Sequence, residues 1–204
     1  MSDAFAERRI DVDGVSIRCL EAGQGAVVVA LHGEPAAAPT ALEKLLSQKF
    51  RVVALESSGF AGRAPHEAAR LMARVARNLG LDHYSLIAST SAAAAGLCHA
   101  LEAAPQPEAL VLVSPSGHIA DLDARLGDIK VTTLVLVGTR DKPATSSAGR
   151  SCADRMPDSY FMVVYDAGPA MEDERPAALF EAIADFIERR GKFVLERQES
   201  ALSP

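Results

Sequence analysis

The sequence predicts an α/β fold built on a mostly parallel sheet that opens with an antiparallel hairpin. Three observations predict it. Short, nearly wholly apolar runs of strand length recur along the chain; segments of helical period separate them; and an Asp13-Gly14 pair stands between two strand-like stretches near the start. The chain has 204 residues, 49% of them hydrophobic, which is enough to bury one sizeable core.

The elements follow in order. Arg9 to Asp13 and Val15 to Leu20 flank the Asp-Gly turn and form the expected hairpin. The apolar runs are Ala26 to Leu31, Arg51 to Leu55, Tyr84 to Ala88, Ala109 to Val113, Thr133 to Val137 and Tyr160 to Tyr165. Runs apolar on both faces belong in a sheet covered on both sides, and Ala26 to Leu31 and Tyr84 to Ala88 are expected at its centre. Helical period is expected over Ala37 to Ser47, Pro65 to Leu79, Ser91 to Ala103, Asp121 to Ile129, Ser146 to Met156 and Arg175 to Arg190. The alternation implies crossover helices between parallel strands. Residues 1–190 are expected to form a single domain. Residues 191–204 read as an extended C-terminal tail, whose Phe193, Val194 and Leu195 would lie on the domain's own surface or on a second copy.

Composition removes several function classes. Lys and Arg total 21 against 27 Asp and Glu, a formal charge of −6 without a basic block, so nucleic acid and anionic membrane are not expected partners. No apolar run is long enough to span a bilayer. The opening MSDAFAERRI carries charges where a signal peptide needs an apolar stretch, so a cytoplasmic location is expected. Cys19, Cys98 and Cys152 are odd in number and lack metal-ligand spacing; Cys19 and Cys98 read as core residues. The turn glycines Gly23, Gly25, Gly59 and Gly62 are followed by no GK[ST], so no nucleotide site is expected, and neither cofactor nor metal.

In an open parallel sheet, ligands bind beyond the carboxyl ends of the strands. The residues standing there are Leu31-His32-Gly33-Glu34-Pro35, Glu56-Ser57-Ser58-Gly59-Phe60-Ala61-Gly62-Arg63, Ala88-Ser89-Thr90-Ser91-Ala92, Gly138-Thr139-Arg140-Asp141 and Asp166-Ala167-Gly168-Pro169. Over roughly Ile10 to Arg189 this series resembles, in order, the landmarks of the α/β-hydrolase superfamily: the His-Gly oxyanion loop, the Asp-x-x-Gly-x-Gly turn, the nucleophile elbow, the acid loop and the histidine loop. The resemblance implies a three-layer α/β-hydrolase-like fold with a sheet of about eight strands. It also implies esterase-like ancestry. Many relatives insert a helical lid between the strands that here end at Val113 and begin at Thr133; this chain has only His118 to Lys130 for it, so no lid domain and an open site are expected.

Carried over residue by residue, the resemblance puts Thr90 at the nucleophile position, with Ser91 beside it, and puts Ala88 and Ala92 where glycines are usual. An elbow nucleophile sits at unfavourable backbone angles that a β-branched residue tolerates poorly, so a relaxed elbow, or one shifted to Ser91, is expected. The plain alternative is a helix start at which Ser89 or Thr90 caps the first turn. Asp141 matches the triad acid; its plain alternative is a turn residue before Pro143. The backbone N–H groups of Glu34 and Ser91 would form the oxyanion hole, although the Glu34 carboxylate would repel a developing oxyanion if it pointed inward. The triad histidine position holds Pro169, which has neither a titratable group nor a backbone donor. Without a base, a hydroxyl is not activated at neutral pH. Of the histidines, His32, His66, His83 and His99 read as structural, and His118, following a strand end, is the candidate substitute base.

Two functions follow. The first is a degenerate, impaired or inactive hydrolase that retains a small-ligand or protein-binding role. The alternative is an active hydrolase of ester or acyl bonds that uses Thr90 or Ser91 with Asp141 and His118.

Overall fold

The computed structural model describes residues 5–33, 38–116, 122 and 124–189. Its eight strands are β1 (Ala6–Val12), β2 (Val15–Ala22), β3 (Val27–Leu31), β4 (Arg51–Leu55), β5 (Ser85–Ser89), β6 (Ala109–Val113), β7 (Thr133–Gly138) and β8 (Ser159–Val164). They form one sheet in the order β1-β2-β4-β3-β5-β6-β7-β8. Asp13 and Gly14 both take positive φ, 53° and 75°, as a tight hairpin turn of the primed type demands, and β1 and β2 pair antiparallel across it. The β2–β4 pairing is also antiparallel and every later pairing is parallel. β3 and β5 stand side by side at the centre, as their composition predicts.

The helices are α1 (Ala41–Leu46), α2 (Pro65–Asn78), α3 (Ala93–Glu102), α4 (Pro143–Arg155), α5 (Met171–Glu174) and α6 (Pro176–Arg189). Alternation along the strands sends side chains to two apolar layers. Val29, Leu31, Leu86 and Leu110 pack with Leu71, Met72 and Val75 of α2 and Leu97 of α3. Val28, Val52, Ile87 and Val111 pack with Leu42 and Leu46 of α1 and with Leu179, Ile183 and Phe186 of α6. These are the three layers expected.

Four helices differ from their predicted spans; the one expected over Ala37 to Ser47 starts only at Ala41, where Thr40 caps it. The segment Asp121 to Ile129 holds, among its described residues, a 3-10 turn at Leu126–Asp128 rather than an α-helix. The helix expected from Ser91 begins at Ala93, because a 3-10 turn over Thr90–Ala92 makes the bend from β5. α4 begins at Pro143, whose fixed φ suits the first helical turn. The expected tail from 191 onward lies outside the described residues. Among those described, no helix is long and apolar enough to cross a membrane.

Candidate active site

The carboxyl ends of β3 and β5 through β8 bring together the loops singled out in the sequence. β5 runs fully buried to Ser89, and Thr90 then turns the chain with φ +50°. This is the left-handed region, costly for a β-branched residue by about 1–3 kcal/mol. The expectation of a relaxed or shifted elbow is thus corrected: the strain stays at Thr90. α3 comes close to β5 at Gly96, where a Cβ would stand 2.7 Å from the Ala88 Cβ.

The elbow hydroxyls differ in accessibility. Thr90 Oγ1 is buried and has no hydrogen-bond partner among the described residues. Gly33 lies over it: a Cβ there would meet Thr90 Oγ1 at 2.3 Å, Ser91 Oγ at 2.4 Å and Ser91 N at 2.7 Å. Ser91 is exposed, and its hydroxyl donates to the Gly33 carbonyl at 3.3 Å. Neither Ser89 nor Thr90 makes a side-chain capping bond, so the capping alternative is corrected as well. Glu34, the other expected oxyanion donor, lies outside the described residues.

Asp141 is buried at the end of β7. Its Oδ2 accepts from Ser114 Oγ and from the Gly138 amide, both at 2.8 Å, while Oδ1 has no partner among the described residues. The loop after β8, the expected histidine loop, packs against the loop that carries Asp141. Arg140 N donates to the Ala167 carbonyl at 2.8 Å, and a Cβ on Gly138 would stand 2.1 Å from that carbonyl oxygen. Pro169 itself is exposed.

The described histidines are engaged elsewhere. His99 is buried in α3, bonded to the Tyr84 hydroxyl and to the Ala69 carbonyl, and burial pushes its pKa down to about 4. His83 pairs with Glu108 at 2.7 Å, and His66 is exposed on the first turn of α2. His118, the expected substitute base, lies outside the described residues.

His32 is held in a way the sequence does not announce. Its Nε2 meets Glu43 at 2.9 Å and its Nδ1 meets Glu172 at 3.1 Å, with both carboxylates almost fully buried. Glu43 completes a capping box with Thr40 at the start of α1, so one oxygen caps the helix while the other holds the imidazole. Glu172 comes from α5, three residues after Pro169, and also accepts a hydrogen bond from Ser89. Burial opposes the charge on His32, but the carboxylates of Glu172 and Glu43 outweigh it and raise its pKa to about 10. A protonated imidazole bonded at both nitrogens accepts no proton, so His32 is no base. Only the Thr-x-x-Glu spacing at Thr40 and Glu43 was visible as a signal, and it indicates a cap rather than a clamp.

An open cleft of about 340 Å³ lies beside the elbow, between the Gly59–Arg63 turn and α3. Ser91, Ala92, Phe60 and Arg63 line it. Among the described residues, no cluster of three or more His, Cys, Asp or Glu could hold a metal ion.

No family model and no curated protein matches the sequence. Solved structures do match its shape. A protein described as a predicted CIB-like hydrolase from Thermoplasma acidophilum superposes with a TM-score of 0.79 at 16% identity, over 91% of this chain and 99% of its own. A serine hydrolase involved in carbazole degradation gives 0.78 at 20% identity, over 92% and 100%. The carboxylesterase CesB from Bacillus subtilis gives 0.74 at 14% identity, over 90% and 92%. These likenesses cover nearly the whole of each chain, and the eight-stranded, mostly parallel sheet is what they share: the chain has the α/β-hydrolase fold.

Proposed function

We propose that the protein is a hydrolase-fold protein whose ester chemistry is strongly impaired and which retains the site as a place to bind a small ligand. The observation that carries this reading is the exposed Pro169 in the loop where a triad histidine would stand, with the Asp141 carboxylate nearby in the packed acid loop. A serine or threonine hydroxyl needs a proton acceptor in the transition state, and Pro169 offers none. The buried Thr90 hydroxyl under Gly33 adds to the argument. On this reading residues 1–190 act as one lidless domain in the cytoplasm. Residues 191–204 are an appendage through which copies of the chain could associate.

A second reading has a specific observation in its favour. Thr90 keeps a strained φ of +50°, and strain of this kind is expected at a working nucleophile. In that reading Thr90 or Ser91 attacks an ester, Asp141 orients the base, and His118 supplies it.

Hydrolysis of p-nitrophenyl acetate separates the two. The unmodified protein is expected at background rate. Pro169→His is expected to raise the rate, and Thr90→Ser combined with Pro169→His to exceed either alone, because general-base assistance is worth about 10²–10⁴ and triad members act as a unit. Efficient turnover by the unmodified protein, abolished by His118→Ala, would overturn the first reading in favour of the second.

A further inference from the structure

The sheet ends in two edge strands built in opposite ways. β1, at one edge, exposes Glu7, Arg8, Arg9 and Asp11, charges of the kind that keep an edge from pairing with another chain. β8, at the other edge, has no such guard: from Ser159 to Tyr165 the sequence SYFMVVY contains no charge, proline or glycine. Among the described residues the exposed large apolar side chains are Val163, at 46%, and Tyr165, at 63%, in β8 and directly after it. The backbone is open as well. Thr133 N donates to the Asp158 carbonyl and Thr139 N to that of Val164, so the even-numbered residues from 158 to 164 turn their backbone groups to β7. The N–H and C=O groups of Ser159, Phe161, Val163 and Tyr165 therefore point to the open edge.

A strand that pairs there must itself be apolar and uncharged, which a second β8 is. The chain's own continuation beyond α6 fits poorly. α4 packs on the sheet face of Val135, α6 on the face of Leu134 and Leu136. A parallel strand following α6 onto the edge of β8 would thus have the hand opposite to that of β7–α4–β8, whereas about 98% of such connections share the right hand. We propose that two copies of the chain pair through β8, antiparallel about a twofold axis at Met162, and join their sheets into one. On this register Phe161 exchanges both backbone hydrogen bonds with Val163 of the second copy, and Ser159 does the same with Tyr165, so all four outward residues are paired. Val163 then packs beside Phe161 of the second copy. Asp158 falls opposite Asp166 of the second copy, and Arg140 there, which holds its own Asp166 at 3.2 Å and Glu174 at 2.7 Å, has Nη1 left for Asp158. Antiparallel pairing sets the carboxyl end of one β8 against the amino end of the other, so the two candidate sites open at opposite ends of the joined sheet. This interface lies apart from residues 191–204 and does not depend on how the site is read.

Sedimentation velocity of the full-length protein over a dilution series is expected to show a reversible dimer. Val163→Lys, at an exposed side chain, should raise the dissociation constant about 100-fold, because two charges are brought against apolar neighbours, and should leave the far-UV circular dichroism unchanged. Val163→Pro should act likewise, since it deletes an outward N–H that no bond to β7 uses. Met162→Cys reports the register. Facing residues of a non-hydrogen-bonded antiparallel pair have Cα atoms about 4.5 Å apart, within disulfide reach, so mild oxidation should link two copies of this variant. Ser159→Cys, which faces Tyr165 instead, should stay unlinked. Val194→Asp tests the segment after the domain and should leave the dimer intact. A protein that is monomeric at every concentration would overturn the proposal. So would a dimer that Val194→Asp dissociates and Val163→Lys does not, or crosslinking as rapid in Ser159→Cys as in Met162→Cys.

Discussion

The turn after β5 and the loop after β8 stand at the same end of the sheet, yet they hold their backbones in different ways. At the elbow the costly backbone persists: Thr90 holds φ +50° although its side chain is β-branched and its hydroxyl is buried. At the loop after β8, the expected histidine loop, the backbone is also held, by Gly138 against Ala167 and by Arg140 bonded to the Ala167 carbonyl, and Pro169 is exposed on it. Here Asp166 takes the positive φ, 52°, and aspartate tolerates that region through local hydrogen bonding. The difference teaches that packing alone can hold a costly backbone, because each loop is over-determined by its neighbours. The two regions are joined through Glu172, which bonds Ser89 below the elbow and His32 behind it.

Breaking that junction should have the largest effect. His32→Gln leaves Glu43 and Glu172 buried without their cation, and the expected loss is about 3–5 kcal/mol in urea unfolding at neutral pH. Adding Glu172→Gln to His32→Gln should recover part of it, since one uncompensated charge is removed. A loss below about 1 kcal/mol would show that the clamp does not hold the two regions together. The same group sets a pH dependence. The folded-state pKa of His32, about 10, lies above its ordinary 6.5, so folding binds a proton more tightly. The stabilisation is complete below pH 6.5, declines above it and is lost as pH passes through about 10. Unfolding midpoints measured from pH 6 upward should fall over that window, and His32→Gln should flatten the profile.

How far this was legible in the sequence depends on the range of the interaction. Apolar runs and the Asp13-Gly14 turn report local preferences, so the order of elements and the central place of β3 and β5 could be read directly. The loops beyond the strands could be found because they follow strand ends. The clamp could not, since Glu43 and Glu172 are far apart in sequence and meet at His32 only through the tertiary fold. Thr90 was misjudged for a related reason. Intrinsic preference argues for a relaxed turn, but Gly33, the buried strand β5 and the close approach of α3 at Gly96 leave the chain no other path. Asp121 to Ile129 failed differently: the helical period is present, yet the described residues of that segment form no α-helix, only 3-10 conformation at Leu122 and Leu126–Asp128.

Two glycines allow the regions to be compared at matched substitutions. Gly138→Ala places a methyl 2.1 Å from the Ala167 carbonyl oxygen, a backbone atom held by Arg140, so the histidine loop must move as a whole. The expected cost is about 3 kcal/mol. Gly33→Ala meets the Thr90 and Ser91 hydroxyl oxygens first, at 2.3 and 2.4 Å, and only then Ser91 N at 2.7 Å. Its expected cost is smaller, about 2 kcal/mol, and Thr90→Ala should relieve it in part. Chemical unfolding of the two single variants and of the Gly33→Ala, Thr90→Ala pair tests the contrast. Equal costs with no coupling to Thr90 would mean that the elbow is as rigid as the histidine loop.

The smallest effect should carry the opposite sign. Thr90→Gly removes a β-branched side chain from a left-handed conformation, worth about 1–3 kcal/mol, and deletes a buried hydroxyl without a partner among the described residues. Against this stand the greater freedom of glycine in the unfolded chain, about 0.5–1 kcal/mol, and the lost burial of the Cβ and its methyl, about 1.6 kcal/mol. The balance predicts a stabilisation of about 1 kcal/mol, read as a rise in the urea midpoint at unchanged slope. Thr90→Ala separates the contributions: it deletes the hydroxyl and the branch but keeps a Cβ at positive φ, so it should gain less than glycine. Asp166→Gly is the control in the histidine loop and should change little, because aspartate is at ease at that φ. If Thr90→Gly destabilises while Asp166→Gly is neutral, the elbow stores no strain, and its shape costs the protein nothing to keep.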